Sequence, residues 1–204
     1  MQSLLVIRSS LLLGSGQSNQ LIDRYVANWR TANPNGQVVE RDLARQPIAH
    51  LDMARVAAFS TPADQRSAEQ QALVAESDAL IAELKAADDI VIGLPLYNFG
   101  VPSTLKAWID QVARAGVSFR YTAQGPEGLI KGKRVYVITT RGGHYRDQPH
   151  DTQTPYVRNV LGFLGMTDLQ FVHAEGLALG DDARRDSLQA AEAQIDALFD
   201  EVAA

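Results

Sequence analysis

Five short apolar runs, at residues 4–7, 38–39, 90–94, 135–139 and 171–174, punctuate the chain, and each is parted from the next by a stretch able to form a helix. The helical stripes are explicit. Leu21, Tyr25 and Trp29 recur every four residues, as do Leu73, Ser77 and Ile81, with Leu80 and Leu84 beside them. Leu105, Trp108, Ile109 and Val112 form a third stripe, and Leu188, Ile195, Leu198, Phe199 and Val202 a fourth. Trp29 and Trp108 lie on these stripes and are assigned to the core.

Strand and helix in alternation predict an α/β architecture, with a parallel sheet covered on both faces. Five strands suit the flavodoxin-like order 2-1-3-4-5, in which ligands bind beyond the carboxyl ends of the strands at the switch point. Two segments stand outside the alternation. Residues 52–66 carry Pro62 and mixed polarity, and read as a long, partly helical loop. Residues 117–122 alternate apolar and polar positions before Gly125-Pro126-Glu127-Gly128, which predicts an inserted hairpin. No linker, repeat or low-complexity tract divides the chain, so residues 1–204 are read as one domain.

Composition narrows the function classes. With 204 residues, 46% of them hydrophobic, the chain can bury a substantial core. The formal charge is −5 and no basic block occurs, so nucleic acid is not expected as a partner. The absence of cysteine excludes disulfides, thiolate metal ligands and a cysteine nucleophile, and fits a cytoplasmic setting. The apolar run in residues 1–8 is too short to span a bilayer and lacks a basic lead, so it reads as a strand; no membrane association is expected.

Three loops carry the candidate chemistry. The first, residues 9–19, places Ser10, Gly14, Ser15, Gly16, Gln17 and Ser18 ahead of an amphipathic helix, where hydroxyls and free N–H groups favour a phosphate. Asn19 stands where a dinucleotide fingerprint needs its third glycine, so a mononucleotide fits better than a pyrophosphate. Ser15 or Ser18 would equally serve as a plain helix cap. The second loop is Leu96-Tyr97-Asn98-Phe99 between Pro95 and Pro102, able to offer N–H groups and apolar surface to a flat ring, or else a pair of core aromatics. The third is Thr140-Arg141-Gly142-Gly143, where paired glycines allow close backbone approach, or a simple turn. In the 2-1-3-4-5 order all three converge on one crevice. One suits a phosphate and two suit a planar ring, which is the shape of FMN.

These residues resemble those of the FMN-dependent NADH azoreductases, also described as NADH:quinone oxidoreductases. The similarity covers nearly the whole chain and is carried by Gln17-Ser18-Asn19-Gln20-Leu21, Tyr97-Asn98-Phe99, Ala113-Arg114-Ala115-Gly116-Val117, Phe119-Arg120-Tyr121-Thr122, Gly125-Pro126-Glu127-Gly128-Leu129 and Arg141-Gly142-Gly143. The resemblance implies that Ser10, Gly16, Gln17 and Ser18 hold the phosphate. It implies that Leu96, Tyr97, Asn98, Phe99, Thr140, Arg141, Gly142 and Gly143 surround the ring. Members often carry a serine where Gly16 stands. It further implies a homodimer with two flavin sites at the interface, each lined by both chains, to which Phe119, Tyr121 and Phe163 would contribute.

The expected reaction is an exchange in one slot: NADH delivers a hydride to the flavin, nicotinamide leaves, and a quinone or azo compound takes its place. Complete azo cleavage to two amines consumes two NADH. NADH or NADPH is the expected donor, since no residue here reads the ribose. Backbone N–H groups near Asn98 and Gly142–Gly143 would stabilise the reduced ring. No side chain is assigned as acid or base. His144, the one histidine in these loops, could donate a proton or simply pack at the surface. His50, His150 and His173 lack partners at ligand spacing, and no metal is expected. Two other classes fit the same loops: a flavodoxin-like electron carrier, and a flavin-free binding or regulatory protein.

Overall fold

The computed structural model describes residues 1–200. Strands β1 (Ser3–Arg8), β2 (Gln37–Asp42), β3 (Asp89–Pro95), β6 (Arg134–Thr140) and β7 (Asp168–Ala174) form one parallel sheet in the order β2-β1-β3-β6-β7. Strands β4 (Phe119–Thr122) and β5 (Gly125–Gly128) pair antiparallel as a separate hairpin. Counting sheet strands alone, the order is the expected 2-1-3-4-5.

Helices α1 (Gln17–Ala32) and α6 (Asp181–Asp200) cover one face, and α3 (Ala68–Ala86), α4 (Ser103–Val112) and α5 (Gln153–Leu164) the other. The division follows the side-chain alternation of a strand. Leu4 and Val6 of β1 pack with Leu21, Tyr25 and Trp29, while Leu5 and Ile7 pack with Leu80, Ile81 and Leu84. Trp29 and Trp108 are both 1% exposed, so the two tryptophans are core. Of the fourth stripe, Val202 lies outside the described residues.

Residues 52–66 are more regular than a loop. The Asp52 carboxylate accepts the Arg55 N–H at 2.8 Å and starts an α-helix, α2 (Met53–Ser60), which the side chain of Arg66 then closes by donating to Ala58 O and Thr61 O. The expected hairpin forms as read, but its place in the fold is decided by connectivity. It follows α4 and precedes β6, so it sits at the edge where the parallel strands begin. There Phe119 packs at a tilt against Phe163 at 4.4 Å between ring centroids, and the Ile130 N–H donates to Leu164 O.

Candidate functional site

At the opposite edge, where β1, β3 and β6 end, the three singled-out loops stand side by side. The first begins with Ser9, whose hydroxyl donates to Gly93 O and moors the loop to β3. A short 3-10 turn at Leu13–Ser15 leads into α1, which starts at Gln17, four residues ahead of its apolar stripe. Its N-cap is Gly16, with no side-chain cap. The Ser15 hydroxyl donates to Leu12 O, and Ser18 Oγ is buried without any partner among the described residues. Neither serine is a cap.

The first turn of a helix leaves N–H groups unused. Here the N–H groups of Gln17 and Ser18 have no acceptor among the described residues, whereas those of Asn19 and Gln20 return to Gly16 O. A buried hydroxyl left unpaired costs about 1–3 kcal/mol, so Ser18 Oγ, Ser10 Oγ and two free N–H groups at a positive helix end constitute an anion cradle. Gly16 fits closely where it stands: a Cβ there would lie 2.3 Å from Ser10 Oγ and 2.9 Å from Ser10 Cβ, so a side chain at this position needs Ser10 to shift.

The second loop is a tight turn. Tyr97 and Gly100 exchange backbone hydrogen bonds, and both central residues are left-handed, Asn98 at φ 50° and Phe99 at φ 60°. Asn adopts that region readily; Phe does so at a cost of about 1–3 kcal/mol. The surroundings hold it there. Thr152 donates its hydroxyl to Phe99 O, and Gln153 Nε2 donates to Pro95 O at 3.0 Å and Gly100 O at 3.1 Å. The N–H groups of Asn98 and Phe99 are left without acceptors among the described residues. Phe99 is 58% exposed, so it is not a core aromatic, while Tyr97 is half-buried.

The third loop is anchored to the chain beyond β7. The Thr140 carbonyl accepts the Leu96 N–H, and Arg141, Gly142 and Gly143 each give their carbonyl to an N–H from residues 176–178. The Gly142 and Gly143 N–H groups remain unused among the described residues. The Arg141 guanidinium does not face the crevice. It is fully buried, paired with Asp151 and Glu175 and hydrogen-bonded to Thr154. Burial pushes the Asp151 carboxyl up, but Thr154 and Arg141 outweigh it and hold the group below its ordinary value.

A cleft of about 630 Å³ opens between the first two loops, lined by Leu11, Leu12, Leu96, Tyr97, Asn98, Val101 and Ser103. Ser10, Gly16, Gln17, Ser18, Leu96, Tyr97, Asn98, Phe99, Thr140, Gly142 and Gly143 all stand on the three loops at this edge, and Arg141 contributes only its backbone. Phe119, Tyr121 and Phe163 do not join them: a seven-residue strand separates the two edges by roughly 20 Å, so these rings cannot line the crevice of their own chain. His144 is exposed and rests over Gly176, and His173 pairs with the Thr139 hydroxyl at 2.9 Å. Thr152, Gln153 and Glu175 were not foreseen. Only Glu175 carried a signal, its place just past the carboxyl end of a strand.

The family model describing a flavodoxin-like fold matches residues 2–199. An FMN-dependent NADH:quinone oxidoreductase of Cellvibrio japonicus (strain Ueda107) is 55% identical over 88% of this chain and 90% of its own length. One of Burkholderia thailandensis is 54% identical over 97% of this chain and the whole of its own. Among solved structures, an FMN-dependent NADH-azoreductase of Bacillus anthracis in complex with FMN superposes with a TM-score of 0.90 at 26% identity, covering all of both chains. An azoreductase of Bacillus anthracis str. Sterne has a TM-score of 0.90 at 27% identity, over 98% of this chain and all of that one.

Proposed function

The chain belongs to the family of FMN-dependent NADH:quinone oxidoreductases, built on the flavodoxin-like fold, and on that premise we propose that it passes two electrons from NADH to quinones and azo compounds, each acceptor replacing the nucleotide in one slot. The observation that carries the cofactor assignment is the buried, unpartnered hydroxyl of Ser18 beside the free N–H groups of Gln17 and Ser18. A phosphate monoester supplies the acceptors that this cradle lacks.

FMN, when bound, supplies the hydride chemistry. The residues of this chain bind and orient it. Ser10, Gly16, Gln17 and Ser18 would hold the phosphate, and the Asn98, Gly142 and Gly143 regions would surround the ring, their N–H groups aimed at charge that develops on reduction. Leu11, Leu12 and Phe99, all exposed apolar residues at the crevice, favour a flat aromatic acceptor. A second copy of the chain completes the wall with Phe119, Tyr121 and Phe163, which one copy cannot bring to its own crevice.

Purified protein supplied with FMN should retain it and oxidise NADH in the presence of quinones and azo dyes. Parallel double-reciprocal lines for NADH against acceptor are expected from exchange in one slot. Intersecting lines would refute the shared slot, and protein that stays colourless with FMN would refute the cofactor.

A further inference from the structure

One carboxylate that touches no proposed ligand organises the third loop. Glu175 stands just beyond β7, and its Oε1 accepts from Arg141 Nη1 at 3.0 Å, the Tyr145 N–H at 3.1 Å and the Arg146 N–H at 3.0 Å. Next to it, Gly176 adopts φ +73°, and a Cβ there would come within 2.9 Å of His144 Cε1. This tight bend brings three consecutive N–H groups to the loop: Leu177 donates to Arg141 O at 3.1 Å, Ala178 to Gly142 O at 2.9 Å and Gly176 to Gly143 O at 3.0 Å.

A trans peptide points its N–H opposite its C=O. Fixing the carbonyls of Arg141 and Gly142 therefore turns the N–H groups of Gly142 and Gly143 away from residues 176–178, which continue β7, and toward β3 and the second loop. Three donors converging on one charged oxygen form the charge-assisted kind of hydrogen bond, about twice as strong as a neutral one. Arg141 is shared between Glu175 and Asp151, so removing the Glu175 charge would by itself ease reduction of a flavin, and a midpoint that falls instead reports lost alignment.

We infer that Glu175 is a positioning residue that fixes the aim of the Gly142 and Gly143 N–H groups and thereby sets how strongly the crevice prefers reduced over oxidised FMN. The inference rests on the FMN reading above. Aligned donors at the ring stabilise negative charge that only the reduced form carries, and misaligned donors lose that selectivity while still binding the oxidised ring.

The test compares FMN dissociation constants and two-electron midpoint potentials for the wild-type protein, Glu175→Ala and Glu175→Gln. In Glu175→Ala, reduced FMN should weaken about tenfold more than oxidised FMN, a midpoint about 30 mV more negative for a two-electron couple. Glu175→Gln keeps an acceptor oxygen at the same reach and should recover at least half of that shift. In the flavin-free protein, the Tyr145 and Arg146 amides should exchange faster in Glu175→Ala than in wild type. An unchanged midpoint in Glu175→Ala, with FMN still bound, overturns the inference, and so does a Glu175→Gln variant as impaired as Glu175→Ala. Should Glu175→Ala fail to fold by circular dichroism, Glu175→Asp decides instead: its retracted carboxylate must lower the midpoint, or the inference fails. Wild-type protein that takes up no FMN sinks the crevice reading itself, a result distinct from these.

Discussion

The phenolic oxygen of Tyr97 lies 3.4 Å from Ser10 Oγ and accepts the Leu11 N–H at 3.3 Å, so one side chain ties the loop after β3 to the loop after β1. Tyr97→Phe removes both contacts and keeps the ring. Water can satisfy the exposed Leu11 N–H, which limits the loss to about 1 kcal/mol. The expected result is a melting temperature of the flavin-free protein lowered by about 2–4 °C, with FMN binding weakened by no more than about fivefold in a fluorescence titration.

Gly16 and Ser10 compete for one volume, since a Cβ at position 16 would lie 2.3 Å from Ser10 Oγ. Overpacking costs about 1–3 kcal/mol, so Gly16→Ser should lower the melting temperature and weaken FMN binding, even though serine is frequent here in the family this chain resembles. Ser10→Gly in the same chain empties the contested space. The double variant should regain the lost stability, and a double-mutant cycle that shows simple additivity would count against the steric account.

Acid stability should fall in two windows. Burial, reinforced by the positive charge of Arg141 and Arg146, holds His173 below its ordinary value, so the unfolded chain takes up this proton first. Stability therefore declines as pH drops below about 6.5, and His173→Phe should remove that part of the slope. Asp151 is likewise depressed, held down by Thr154 and Arg141 against its burial. Its contribution is complete above the ordinary carboxylate range and is lost as pH falls through about 4 and below. Asp151→Asn should flatten this lower window, measured as melting temperature against pH.

How far such features were legible in the sequence depends on the range of the forces that make them. Alternation along β1 sends Leu4 and Val6 to one face and Leu5 and Ile7 to the other, and that pattern is local. The serines before α1 read equally as caps, because only the fold shows that Gly16 holds the cap position and Ser18 Oγ has no partner. Arg141, beside two glycines, is expected from the resemblance among the residues around the ring. It is instead buried against carboxylates 10 and 34 residues away, where no local pattern links it to them. The helix α2 did carry a local signal, Asp52 ahead of a short apolar stretch, which Pro62 and mixed polarity obscured.

Replacing Arg141 tests its burial directly. Arg141→Met would leave Asp151 and Glu175 facing each other without a cation, and removing one partner of a buried pair costs about 3–5 kcal/mol. A marked fall in melting temperature at neutral pH is expected, and it should shrink in acid as Asp151 takes up its proton. An arginine that served the crevice instead would show the opposite pattern, with FMN affinity lost and stability kept.

The last prediction concerns the rings at the wrong edge. Tyr121 is 75% exposed on the hairpin and stacks edge-on against Phe119, roughly a strand length from the crevice of its own chain. Within one chain Tyr121→Ala should change stability by less than about 0.5 kcal/mol. In a homodimer whose two-fold brings each hairpin to the other copy's crevice, the same change should depress quinone turnover. A complementary variant, Gln17→Asp, puts a carboxylate at the first turn of α1, which the helix tolerates and a phosphate does not. Each variant alone should be impaired as a homodimer. Mixing the two chains equally makes half of the dimers hybrids, each with one intact crevice facing one intact hairpin, so activity should recover to about a quarter of wild type. Mixtures that never exceed the average of the two parents, or a chain that sediments as a monomer, would refute the shared site.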